Sequence, residues 1–201
     1  DHDGFRLTRL RNLAIAASSG DYLVFIDGDM VLHPQFVADH AGAAAQGRYT
    51  QGVRIHLDHA RTNLLIASPL ALPGPASRGL GGLRRVHALH NPRLSHATRL
   101  LGNRLVSTKG CNQGFWRCDL IAVNGFDEQI VGWGPEDKEL CARLTNAGIR
   151  RQTLVFAAIA WHLAHRPASR AGVRANRERW QETVRSGRTR CTRGIDQHLP
   201  R

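Results

Sequence analysis

Lysine is almost missing from this chain: of 28 basic residues only Lys109 and Lys138 are lysines, and the rest are arginine. Long apolar runs are missing too. Nothing approaches the ~20 apolar residues that a membrane-spanning helix needs. No pair among Cys111, Cys118, Cys141 and Cys191 has C-x-x-C spacing, which argues against a zinc site built on that spacing. Four thiols in 201 residues read as reduced, buried groups in a reducing compartment, with a Cys111–Cys118 disulfide left open. Met30 is the only methionine and the first residue is Asp1, so the chain is expected to continue upstream. No internal repeat is visible.

What is present fits a single globular domain. Apolar content is 42% and charged content 22%, ordinary for a soluble protein with a sizeable core. The net charge is +12. An arginine-dominated excess favours anionic partners such as nucleotide diphosphates, acidic lipid surfaces or nucleic acid, and by itself selects none of them.

The most informative stretch is Tyr22-Leu23-Val24-Phe25-Ile26-Asp27-Gly28-Asp29-Met30. A short apolar run that stops at two carboxylates predicts a strand buried on both faces, in a mostly parallel α/β sheet flanked by helices. Ligands of such sheets bind beyond the carboxyl ends of the strands, where Asp27 and Asp29 stand. Two close carboxylates repel unless a cation lies beside them, and a hard divalent ion is the usual solution. The plain alternative, an Asp/Gly-rich turn, is as good on this stretch alone.

A helix is expected over Thr8–Ser18, with Leu10, Leu13, Ala14 and Ala17 on its apolar face. Another runs over Gln35–Gln46, and a strand over Tyr49–Leu57. Residues 69–82, rich in Pro and Gly, form a loop. His87, His90 and His96 suggest a metal site only weakly. Leu105–Lys109 reads as a strand, 110–114 as a tight turn, and Asp119 as the cap of a brief helix. Pro135 opens a helix with Glu136 and Asp137 in its first turn, where the helix dipole favours acids whatever their function. Trp133 between Gly132 and Gly134 is unusual for simple core, and its face suits a sugar ring. Arg151–Trp161 gives one or two buried strands, followed by His162-Leu163-Ala164-His165. Nine arginines lie between Arg166 and Arg193. With Val173, Asn176, Trp180 and Val184 they predict a basic amphipathic helix, either lying on an anionic membrane surface or simply solvated.

Taken together, these residues resemble the GT-A glycosyltransferases of family 2, in the subgroup whose C-terminal half is similar to the β-1,4-galactosyltransferases. The matching pieces are Arg11-Asn12, then Asp27-Gly28-Asp29 as the DxD motif, Asn112-Gln113-Gly114-Phe115-Trp116, Asn124-Gly125-Phe126-Asp127, Gly132-Trp133-Gly134-Pro135-Glu136-Asp137, and His162. The resemblance implies a GT-A domain over residues 1–165 that starts after the family's first strands, with a basic helix and tail over 166–201. It implies inverting transfer of a sugar from a nucleotide sugar, of the UDP type, to a hydroxyl of a glycan or glycolipid, in the cytoplasm or at the inner face of a membrane. No nucleic acid is expected. Mn²⁺ or Mg²⁺ would be held by Asp29 and His162. Asp137 would be the general base, with Glu136 orienting the acceptor. Arg11, Asn12, Asp27 and Gly28 would touch the nucleotide sugar, and Asn112, Trp116, Gly132, Trp133 and Gly134 the donor or acceptor sugar. Two rival classes are a haloacid-dehalogenase-type phosphatase, with Asp27 as nucleophile, and a non-enzymatic basic module binding nucleic acid or membrane through residues 166–193.

Overall fold

The structure, a computed structural model, describes residues 6–81, 83–100, 107–166 and 172–200. The elements in chain order are α1 (Leu7–Ala17), β1 (Tyr22–Ile26), β2 (Met30–Leu32), α2 (Phe36–Ala43), β3 (Arg48–Gln51), β4 (Val53–His56), α3 (His59–Ala67), α4 (Pro92–Leu100), β5 (Asn112–Trp116), α5 (Arg117–Ala122), α6 (Glu136–Asn146), β6 (Arg150–Thr153), β7 (Ile159–His162) and α7 (Val173–Ser186). One sheet has the order β1-β5-β3-β6 and the other β2-β7-β4. The fold is α/β, but its sheets are mixed rather than mostly parallel. β1–β5, β5–β3 and β2–β7 pair antiparallel, while β3–β6 and β4–β7 pair parallel. The cause lies in β5, which begins with Asn112 opposite Ile26 and runs back along β1.

β1 corrects the expectation of a strand buried on both faces. It is an edge strand among the described residues, half-buried, with Ile26 46% exposed. Its side chains form one wall of an open cavity. α1 turns the same way. Leu10 and Leu13 are exposed, and the helix instead buries Thr8, Arg11, Asn12 and Ile15. Apolar spacing located the helix but not the side that packs, because two of its polar residues are consumed by internal hydrogen bonds.

The expected Tyr49–Leu57 strand is two strands in different sheets, β3 and β4, joined by Gly52. A Cβ at Gly52 would collide with the Asn112 amide, so the chain changes sheets where only glycine fits. The expected strand at Leu105–Lys109 lies partly outside the described residues, and 107–109 is irregular. The predicted turn at 110–114 is largely the central strand β5, and Asp119 lies inside α5 rather than capping it. α3 and α4 are helices not expected from the sequence. Asp58 caps α3 by accepting from the Arg61 N–H at 2.7 Å.

Among the described residues three apolar clusters hold the layers together. Ile15, Tyr49, Phe115, Leu120, Phe126, Leu140 and Leu144 pack one sheet against α1, α5 and α6. Val53, Ile55, Leu65, Ile159 and Trp161 fill the space between the second sheet and α3. Phe36, Ala43, Leu154 and Ala160 form the third with Met30 and Leu32 of β2.

The segment set apart in the sequence as a tail is packed into this body. Ile195 is fully buried in the first cluster. The Thr183 hydroxyl of α7 donates to Glu139 of α6 at 2.9 Å, and Glu139 is paired with the buried Arg143 at 2.6 Å. Val173 and Trp180 face a cavity, which leaves Val184 as the exposed apolar residue of the face expected to meet lipid. No helix among the described residues is long and apolar enough to cross a membrane. All four cysteines are free, and burial pushes the thiols of Cys111 and Cys191 up to about 11 and that of Cys141 to about 12.

Candidate active site

The turn that leads from β1 into β2 meets the end of β7. Met30 pairs with His162, and the Leu163 N–H donates to the Asp29 carbonyl at 3.0 Å. This register places Asp29 Oδ2 3.2 Å from His162 Nε2 and 2.9 Å from His165 Nε2. The two imidazole nitrogens are 3.3 Å apart. Nδ1 of His165 lies 2.7 Å from the Arg166 carbonyl, which can only accept, so Nδ1 donates there and Nε2 is the nitrogen turned to Asp29. Burial also lowers the His162 pKa more than Asp29 raises it. A carboxylate oxygen and two imidazole nitrogens therefore converge within hydrogen-bond distance, which requires a proton or a cation among them. Asp29 Oδ1 is buried and has no hydrogen-bond partner. Asp29, His162 and His165 thus form a set that fits a divalent ion. Metal–nitrogen bonds of about 2.0–2.1 Å put ligand atoms about 3.3 Å apart in tetrahedral geometry, close to the spacing found. His165 is the ligand candidate that the sequence analysis did not single out; the H-x-x-H spacing of 162 and 165 was the available signal.

A cavity of about 1140 Å³ opens beside this cluster. Leu7, Leu10 and Ala14 of α1 and all five residues of β1 give it an apolar wall. Asp27, Gly28, Asp29, His56, His162 and His165 give it a polar end. A second cavity of about 290 Å³ adjoins it and is lined by Glu136, Asp137 and Gly134. Arg11, Asp27, Arg54 and Trp133 line both.

Arg11 is the strut between the two acidic groups. Its guanidinium lies 3.1 Å from Asp27 Oδ1 and 3.3 Å from Glu136 Oε1, over the Phe126 ring. It is 6% exposed, so it positions the carboxylates more than it offers itself to a ligand. Asp137 Oδ2 accepts from the Gly110 N–H at 2.9 Å and Oδ1 from the Lys138 N–H at 2.7 Å. A Cβ at Gly110 would stand 3.0 Å from Arg11 and 3.3 Å from Asp137, so glycine permits this approach. Burial raises the Asp137 pKa and outweighs those two N–H donors. Burial and the neighbouring Asp137 raise Glu136 from 4.5 to about 7, against the pull of Arg11. Both folded values lie above the unfolded ones. These groups therefore destabilise the fold as pH rises, Glu136 between pH 4.5 and about 7; below that window both states are protonated and the penalty vanishes.

Four expected site residues are placed elsewhere. Asn12 is fully buried, donating to the Phe126 carbonyl at 2.8 Å and to Glu128 at 3.0 Å while accepting from the Phe126 N–H at 2.7 Å. Asn112 is fully buried too, donating to the carbonyls of Val53 and Ala158 at 2.8 and 2.7 Å and facing His40 at 2.9 Å. Both asparagines tie strands and turns together and have no atom left for a sugar. Trp116 pairs with Tyr22, at the opposite end of β1 from Asp27, and donates to the Ala45 carbonyl at 2.9 Å. Gly132 takes a left-handed φ of 77° that swings the chain into Trp133, and it is not among the lining residues of either cavity. Of His87, His90 and His96, only His90 joins a cluster. It lies 3.0 Å from Asp39 and stacks on His33, giving a second His/Asp set.

Residues 2–73 match the model for glycosyl transferase family 2, and residues 93–166 match the model described as the N-terminal domain of galactosyltransferase. The first part of the chain is thus similar to family 2 glycosyltransferases and a second part to a galactosyltransferase domain. The Asp27-Gly28-Asp29 motif falls within the first match. The chain matches no curated protein. Among solved structures it is similar to glucosyl-3-phosphoglycerate synthase from Mycobacterium tuberculosis in complex with Mn²⁺, UDP and phosphoglyceric acid. There the identity is 23%, the TM-score 0.43, and the coverage 87% of this chain and 51% of that one. The same enzyme with Mn²⁺, UDP-glucose and phosphoglyceric acid gives 22% identity, TM-score 0.41 and the same coverage. The chain spans about half the length of these synthases.

Proposed function

We propose that the protein transfers a sugar, with inversion, from a UDP-sugar to a hydroxyl of a glycan or glycolipid. The observation that carries this reading is the convergence of Asp29, His162 and His165 in one cavity, joined through Arg11 to the acids of the next. In this reading the larger cavity takes the nucleotide sugar. The apolar face of α1 and β1 lies along the nucleoside, and the diphosphate points at the β1–β2 turn beside the end of β7. Asp29, His162 and His165 hold Mn²⁺, or Mg²⁺, which when bound neutralises charge on the departing diphosphate; imidazole ligands favour Mn²⁺. Trp133, 42% exposed where the two cavities meet, offers its face to a sugar ring.

The acceptor enters the smaller cavity. Its hydroxyl oxygen forms the new bond to the anomeric carbon as the bond to the diphosphate oxygen breaks. The hydroxyl proton passes to Asp137, and Glu136 orients the acceptor. Burial raises the Asp137 pKa, which makes it a stronger base.

A panel of UDP-sugars incubated with the full-length protein tests this directly. Nucleotide release is expected from at least one donor with Mn²⁺, and loss of release with a chelator. Metal-independent release, or none across the panel, overturns the reading.

A further inference from the structure

The charges around the smaller cavity are not balanced. Asp27 and Glu136 share the single guanidinium of Arg11. The other cations on its wall are Arg54, Lys109, Lys138 and Arg177, and none of them makes an ion pair among the described residues. Arg54 has only a long contact of 3.8 Å to Cys111 Sγ, and the Lys138 ammonium rests over the Trp180 ring at 5.1 Å. The chain has only two lysines, and both line this one cavity. Burial lowers the Lys109 pKa, and so do Arg54 and Lys138, while Asp137 raises it; with Asp137 counted, the wall still sets Arg11, Arg54, Lys109, Lys138 and Arg177 against only Asp27, Glu136 and Asp137. Gathering like charges on a concave wall is unfavourable unless an anion is to be held there.

The donor diphosphate does not absorb this excess. Arg54 reaches both cavities, but Lys109, Lys138 and Arg177 line only the smaller one, on the side of Asp137. We propose that the acceptor carries a phosphate or carboxylate close to the hydroxyl that Asp137 deprotonates, held by Lys109, Lys138 and Arg177. The inference rests on the reading of this cavity as the acceptor site. A mobile ammonium suits an anion whose position varies between acceptors, where the fixed fork of arginine does not. The anion also sets the hydroxyl against Asp137, so acceptor binding and deprotonation share one anchor.

The test is an acceptor series at fixed UDP-sugar and Mn²⁺ with the full-length protein: glucose, glucuronate and glucose 6-phosphate, plus vesicles containing phosphatidylglycerol. A charge-assisted hydrogen bond contributes about 1.5–3 kcal/mol, or roughly 10–100-fold. The anionic acceptors are therefore expected to exceed glucose in kcat/KM at least tenfold. Turnover of the soluble esters points to a free sugar acid or phosphate, and turnover of the vesicles alone to a lipid-borne one. The Lys138→Met/Arg177→Ala double variant, both positions exposed, should raise the KM for the anionic acceptor at least tenfold more than the KM for the donor. Equal use of neutral and anionic acceptors, or a donor KM that moves instead, overturns the proposal. Calorimetry with glucose 6-phosphate against glucose reads the same preference without turnover. Hydrolysis of the UDP-sugar without any acceptor tests the transferase reading separately.

Discussion

Asp29→Ala is expected to lower nucleotide release from the donor by on the order of 10³-fold, the several kcal/mol that a metal ion supplies to a departing anion. The loss follows from geometry. Among the described residues Asp29 is the one carboxylate in contact with both His162 and His165. Removing it leaves two imidazoles 3.3 Å apart with no anion to balance a divalent charge. The fold should survive, because Asp29 holds Leu163 through its backbone carbonyl, which alanine keeps. Raised Mn²⁺ should restore part of the rate, since the histidines are still in place. Unchanged release at ordinary Mn²⁺, in a variant with wild-type thermal unfolding, would remove Asp29 from the site.

Asp137→Asn is expected to reduce transfer to the acceptor by about 10²–10⁴-fold, the usual contribution of a positioned general base, with donor KM little changed. The amide can still accept from the Gly110 N–H, now at 2.9 Å from Asp137 Oδ2, so the turn at Gly110 is kept. The pH profile carries the sign. Asp137 acts only when ionised, and burial holds its pKa above the ordinary carboxylate range, so the rate should climb with pH above that range and then level. The variant should lose this limb. It should also lower the Glu136 pKa from about 7, because the Asp137 charge is one of its raising causes. A variant that transfers at the wild-type rate would show that the proton leaves by another route.

Much of this site could be read from the chain because its chemistry is local. Asp27 and Asp29 stand two residues apart after an apolar run, Glu136 and Asp137 open a helix marked by Pro135, and His162 closes a buried strand. What could not be read is which polar residues a ligand reaches. Asn12 and Asn112 look like ligand contacts in sequence, yet each spends its amide on distant backbone, at separations of more than 40 residues. Spacing along a chain does not reveal such bonds. Arg11, expected beside the nucleotide, lines both cavities and is also a buried strut between two acids that lie 109 residues apart in the chain. The sheet was misjudged for a related reason. An apolar pentapeptide at a sheet edge beside a cavity has the same composition as one in the middle of a parallel sheet. The arginine-rich helix was legible as a helix, but its packing depends on Asn176 and Thr183, whose partners lie on residues 131, 133 and 139.

Diffraction from crystals of the full-length protein grown with Mn²⁺ and UDP, recorded at the manganese absorption edge, tests the centre of this account most directly. One anomalous peak is predicted within bonding distance of Asp29, His162 and His165, against the diphosphate. A manganese bound only at His33, Asp39 and His90, or none near Asp29 with UDP in place, would contradict it.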